Sequence, residues 1–143
     1  MRKIFIYGLL VLATSLFGDG INWAKDYQAG IDQATKENKP VMFVISRHTC
    51  KYCVVLEENT FSDKGVIDRL NKEYVSIISY TDEGDYIPRG MYNGGTPMTW
   101  FLNFDGQPMF SPVVGARDPD AYMNALQVVK ERFDEINNDG KTK

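Results

Sequence analysis

Residues 40–53, "PVMFVISRHTCKYC", run an apolar stretch straight into a cysteine pair. Pro40 opens the stretch, and Val41, Phe43, Val44 and Ile45 give it the length and β-branched content of a buried strand. It leads into Cys50 and Cys53, the only two cysteines, with His48, the only histidine, two residues ahead of the first. Val54, Val55, Leu56, Glu57 and Glu58 then suit a helix that starts at the motif and stops near Asn59. A dithiol between a buried strand and a helix start admits three readings: a redox pair, part of a metal site, or a structural staple.

The chemistry separates them. Cys50 falls at the N-terminal end of the helix, where unpaired backbone N–H groups and the helix dipole favour negative charge. A thiolate is stabilised there. Lys51 and a protonated His48 push the same way, although Lys51 in a first helical turn opposes the dipole slightly. Cys53, one turn further in, is expected to be buried and to remain a thiol. Cys50 can then attack a disulfide sulfur, and Cys53 can attack the resulting mixed disulfide, releasing the reduced product and leaving an oxidised pair. These steps require no cofactor. Run backward they oxidise a dithiol, so the direction stays open. A structural zinc site needs about four ligands, more than two cysteines and one histidine supply. The metal alternative is a copper chaperone using Cys50, Cys53 and His48, since a thiolate-rich open site suits copper. As for a staple, a bridge across three residues closes too small a loop to stabilise much through chain entropy.

The surrounding chain predicts a compact alternation of elements. Trp23, Tyr27, Ile31 and Ala34 recur at spacings of four, four and three with polar residues between them, an amphipathic helix ending near Asn38. Ser62 is a candidate cap for a short helix with Val66, Ile67 and Leu70 on its apolar face. "YVSIISY", 74–80, reads as the next strand, and 81–95 as a loop with one helical turn around Tyr86 to Tyr92. Residues 98–104 and 109–114 are strand-like on either side of Asp105-Gly106, a hairpin signal. Asp118 as N-cap and Pro119 in the first turn open a last helix, whose face is Tyr122, Leu126, Val129, Phe133 and Ile136. A parallel unit followed by a hairpin predicts an α/β sandwich with a mixed sheet.

Arg2 and Lys3 precede an apolar run from Ile4 that thins out through Ala13, Thr14 and Ser15. This pattern predicts a signal peptide over 1–20, with a domain over 21–137 and a frayed tail over 138–143. An uncleaved membrane anchor is the alternative, and it is disfavoured because the run is shorter than the roughly 20 apolar residues that cross a bilayer. Export to a bacterial periplasm would permit a disulfide. With 43% hydrophobic and 13% aromatic residues the chain can bury one core. Its 16 basic and 19 acidic side chains leave a net charge of -3 with no basic cluster, which argues against a nucleic-acid partner.

The buried strand, the Cys50/Cys53 pair and "GGTPMTWF" at 94–101 together resemble the thioredoxin superfamily from Trp23 to Phe133. "NKPVMFV", "TFSDKGVIDRLNKEYVSI", "GTPMTWFLNFDGQ" and "VVGARDPDAYMNAL" are similar to successive parts of exported thioredoxin-like domains, including the C-terminal domain of the membrane thiol:disulfide interchange reductase. The resemblance implies a thioredoxin-like sandwich, a central mixed sheet flanked by helices. It also implies protein-disulfide oxidoreductase activity, a cis-proline at Pro97, and substrate binding at Thr96, Pro97 and Tyr52. Three features depart from ordinary thioredoxin. Lys51-Tyr52 replaces Gly-Pro, Thr49 replaces a tryptophan, and Val44 stands where thioredoxin has a buried aspartate. "TC-x-YC", Val44 and the threonine before the proline resemble the catalytic domain of periplasmic disulfide isomerases instead. No dimerisation domain precedes the helix at Trp23, so a monomer is expected. Its substrates would be proteins carrying disulfides or dithiols, and its electron donor a membrane-bound thiol:disulfide reductase.

Overall fold

The computed structural model describes residues 19–138. Apart from Asp19, Gly20 and Asn138, the leader and the tail predicted from sequence lie outside the described residues. The strand read from "PVMFVIS" is β1, Val41–Ser46, and it is buried along its whole length. It holds the centre of a four-stranded sheet. β2 (Val75–Tyr80) runs parallel to it on one side, β3 (Met98–Leu102) antiparallel on the other, and the two-residue β4 (Val113–Val114) lies beyond β3.

The two-residue period of β1 divides the core into two layers. Val41, Phe43 and Ile45 pack with Ala34, Val75, Ile77, Met98 and Leu102 under α1, Tyr27–Glu37. Met42 and Val44 face the opposite way, toward Leu56, Phe61, Val66, Leu70, Phe101, Tyr122, Leu126 and Val129. That second layer is covered by α2 (Lys51–Val55), by a π-helical turn that continues it (Leu56–Thr60), by α3 (Lys64–Glu73) and by α4 (Pro119–Asn138). Each fully buried Leu, Ile, Val, Met or Phe contributes about 1.5–3 kcal/mol of transfer free energy, so both layers favour holding β1 in place.

Local chemistry accounts for the departures from the predicted boundaries. α1 begins at Tyr27, not Trp23, because extended Asp26 caps it, its carboxylate accepting from the Ala29 N–H at 2.8 Å. Trp23 instead bridges Ser76 beside β2 and sets its ring edge-on to Phe61. α3 is capped by Asp63, which accepts from Val66 N–H at 3.0 Å, while the Ser62 hydroxyl turns back to the carbonyls of Glu58 and Asn59. The segment 81–97 contains turns but no helical turn at Tyr86 to Tyr92. The strand expected over 109–114 shrinks to β4 alone, preceded by one bridge between Leu102 and Pro108. Pro108 and Pro112 have no N–H to donate to a ladder. The Asp105-Gly106 turn forms as predicted, with Gly106 at φ +86°. Asp118 caps α4 through the Ala121 N–H at 2.8 Å, and Tyr122, Leu126, Val129 and Phe133 are buried. Ile136, at the end of that stripe, is exposed. Among the described residues no helix is long and apolar enough to cross a membrane.

Candidate active site

β1 ends at Ser46, and the chain turns through Arg47, His48 and Thr49 to reach Cys50, which adopts extended backbone (φ -91°, ψ 121°) as the N-cap of α2. A cysteine at an N-cap offers sulfur where serine or aspartate offers oxygen: the Cys53 N–H donates to Cys50 Sγ at 3.2 Å. The free N–H groups of the first helical turn therefore favour charge on this sulfur. Cys50 and Cys53 are joined in a disulfide, with Cα atoms 5.2 Å apart. They differ in exposure. Cys50 is partly accessible, whereas Cys53 is fully buried.

The loop before β3 closes on the outer sulfur. The Thr96 carbonyl oxygen lies 3.4 Å from Cys50 Sγ, and the Thr96–Pro97 peptide is cis. Pro97 is buried, and its own carbonyl accepts from the Gly115 N–H at 2.8 Å, tying this loop to the residue after β4. Cys50, Cys53, Thr96 and Pro97, 43 residues or more apart across the two segments, are thus brought together by the antiparallel pairing of β1 with β3. Tyr52 projects outward, 61% exposed, with Lys51 Nζ 6.0 Å from its ring centroid.

His48 is placed differently from the role read for it. Its ring stacks on Tyr80 at 4.0 Å between centroids, and its Nδ1 and Nε2 lie 3.2 and 3.5 Å from carboxylate oxygens of Asp82 and Glu83. Its backbone N–H also donates to Asp82 at 3.0 Å. Desolvation works against charge on Asp82, but the bonds from the His48 side chain and backbone outweigh it and hold that carboxyl below the usual range. A positive His48 therefore has two carboxylates beside it, which weakens its pull on a thiolate at Cys50. The copper alternative needs His48 beside the sulfurs. Among the described residues no group of three or more His, Cys, Asp or Glu side chains is placed to hold a metal ion.

Glu57 was absent from the sequence-based site. One helical turn beyond Cys53, its carboxylate accepts from the Tyr80 hydroxyl and, at 3.4 Å, from the Ser46 hydroxyl. Burial pushes the Tyr80 phenol up, and the bond to Glu57 adds to this, so Tyr80 stays a donor. No local pattern marks it, since its partners Ser46 and Tyr80 come from the ends of two different strands.

A disulfide at a helix start, on a mixed sheet covered by helices on both faces, with a cis Thr-Pro loop against the outer sulfur, defines a thioredoxin-like protein. The chain belongs to the Thioredox_DsbH family, described as "Protein of unknown function, DUF255", whose profile matches residues 15–143. It is 28% identical over 103 residues to spermatogenesis-associated protein 20 of Rattus norvegicus, covering 66% of this chain and 12% of that relative's length. A thioredoxin from Thermus thermophilus superposes with a TM-score of 0.64 at 22% identity, covering 77% of this chain and 87% of that one. The oxidised C-terminal domain of Neisseria meningitidis DsbD superposes at 0.55 with 19% identity, covering 70% and 90%. These likenesses establish the thioredoxin-like fold.

Proposed function

We propose that this chain is an exported thiol-disulfide oxidoreductase that reduces or shuffles disulfides in protein substrates, with Cys50 as nucleophile and Cys53 as resolving cysteine. The asymmetry of the two sulfurs carries the proposal: Cys50 is accessible at the N-cap of α2, and Cys53 is closed off behind it. The accessible sulfur can meet a substrate disulfide. The buried one can reach only its partner three residues away, so it attacks the mixed disulfide in preference to a second substrate.

Around this pair the remaining roles follow from position. The Thr96 backbone beside Cys50 would pair with an extended substrate segment, and Pro97, which has no N–H, would keep that edge free for it. Exposed Tyr52 would cover the apolar part of such a segment, and Lys51 would add positive charge near a thiolate. The leader supports a periplasmic location or a membrane anchor. The likeness to the DsbD domain supports a membrane-bound thiol:disulfide reductase as electron donor.

The test is insulin reduction in the presence of dithiothreitol, followed by turbidity. The parent protein is expected to accelerate precipitation and Cys50→Ala to lose that acceleration. A Cys50→Ala protein working at the parental rate would end the proposal.

A further inference from the structure

On the α1 face of the sheet, the first turn of α1, the loop at 86–91 and the Asp105-Gly106 turn border a groove of about 620 Å³, within the size range of ligand sites. It shares no lining residue with the cysteine site. Tyr27 and Tyr86 line it with ring centroids 5.5 Å apart and planes tilted by 58°, and Trp100 adds a third ring from β3. Tyr86 is 66% exposed, so much of its ring is left to solvent. The hydrogen-bonding groups of the groove are unevenly used. Many of its acceptors are committed: the carbonyls of Tyr86, Pro88 and Met91 take the Ser79 hydroxyl at 2.9 Å, the Met91 N–H at 3.1 Å and the Trp100 indole N–H at 2.8 Å. Asp105 Oδ1 takes the Gln107 N–H at 3.0 Å. The donors are not committed. Among the described residues, no acceptor is bonded to the hydroxyls of Tyr27 and Tyr86, the Arg89 guanidinium or the Gln107 side-chain amide. Burial, and after it the neighbouring Tyr86 phenol, raise the Tyr27 phenol above its ordinary value, so it keeps a proton to donate.

We infer that this groove docks a proline-rich segment of a partner protein in the polyproline II conformation. Such a segment carries the complementary inventory. Its carbonyls make no internal hydrogen bonds, its prolines bring no N–H, and its rings pack on aromatic side chains. Proline rings would lie against Tyr27, Tyr86 and Trp100, and the carbonyls would accept from the Tyr27 hydroxyl, Arg89 and Gln107. Because the segment arrives preformed, it loses little backbone entropy on docking. Other ligands fit less well. A saccharide brings a donor with every hydroxyl, and the groove has few acceptors left to meet them. An added β-strand needs a free strand edge, and β3, the strand beside the groove, is paired on both sides. A simple ion finds Arg89 and Asp105 of opposite charge in the same groove. The inference is independent of the oxidoreductase reading, since neither cysteine takes part.

The test titrates a blocked hexaproline peptide into the isotope-labelled protein and follows amide and indole N–H signals by nuclear magnetic resonance. The indole N–H of Trp100 and the backbone N–H groups of Gly90, Gly106 and Gln107 are expected to shift and saturate, while those of Cys50 and Cys53 stay in place. Tyr86→Ala should weaken binding by about tenfold, near the upper end of what one aromatic contact is worth. Tyr86 is exposed, so the variant should keep the parental spectrum outside the groove. Arg89→Gln should weaken binding several-fold, and Cys50→Ala should bind as the parent does. A blocked Gly-Ser peptide of equal length and maltotriose should leave the groove signals unmoved. No saturable shift with hexaproline overturns the inference, as does a Tyr86→Ala protein that binds like the parent. Groove signals moved by maltotriose but not by hexaproline also overturn it, in favour of a saccharide site. Shifts centred on Cys50 and Thr96 overturn it as well, because the peptide is then held at the cysteine site.

Discussion

Replacing Gly30 with alanine sets two effects of opposite sign against each other, and the structure decides between them. Gly30 lies in the interior of α1, where the exchange alone should stabilise the helix by about 0.8–1 kcal/mol. Its open face, however, is pressed on the sheet: a Cβ placed there meets Ile77 Cδ1 and Cγ1, each at 2.4 Å, and Ala24 Cβ at 3.2 Å. Carbon atoms settle about 3.5–4.0 Å apart, so α1 must retreat by more than 1 Å or Ile77 must leave its rotamer. Ile77 is fully buried and lies beside Phe43 across the β1–β2 ladder, with no solvent to turn into. Overpacking of this kind costs about 1–3 kcal/mol, which exceeds the helix gain over most of its range. We expect Gly30→Ala to be destabilised by about 1 kcal/mol, read from the urea midpoint at an unchanged m-value. Ile77→Ala alone should lose about 2–5 kcal/mol. The double variant should lose less than the sum of the two, because the new methyl group occupies space that Ile77 vacates. A Gly30→Ala protein more stable than the parent, or strict additivity in the cycle, would refute this account of how α1 meets the sheet.

Two pH dependences follow from charge. Asp82 is held below its ordinary value by His48, so its contribution is present above the unfolded pKa and is lost as pH falls below about 4. Urea midpoints measured from neutral to acidic pH should therefore fall less steeply for Asp82→Asn than for the parent; identical slopes would count against the pair. Tyr74 and Tyr122 are buried, and burial raises both phenols above their ordinary value. Their neutral forms favour the folded state, and that contribution is complete below about pH 10 and lost as pH climbs beyond it. Tyr122→Phe should be less stable than the parent at neutral pH, where the hydroxyl approaches Thr99 and the Met42 sulfur, yet should show a shallower alkaline decline.

The class of fold was legible because its signals were local. A β-branched run entering a cysteine pair, the Asp105-Gly106 turn, and the Asp118-Pro119 start before the long stripe of α4 each specify an element without reference to the rest of the chain. Where a helix start was misplaced, a nearby side chain outcompeted the pattern. Asp26 capped α1 a turn later than the Trp23 spacing implied, and Asp63 took the cap of α3 ahead of Ser62. Family resemblance supplied Thr96 and Pro97, since no local pattern links residue 96 to residue 50. His48 illustrates the converse. Adjacency to Cys50 suggested an electrostatic partnership, but its ring found Tyr80, Asp82 and Glu83, more than thirty residues away.

By itself, then, the sequence determined most of the element types, the two-sided burial of β1 and the place of the cysteine pair between β1 and a helix start, because apolar periodicity, caps and turns act over a few residues. Only the tertiary structure decided that the Thr96 carbonyl faces Cys50, that Gly30 is the contact point of α1 with Ile77, and that Glu57 is gripped by Tyr80 and Ser46. Those outcomes depend on how the strands pair and how closely the helices approach them. Distances of that kind arise from packing both layers around β1 at once, and no short stretch of chain encodes them.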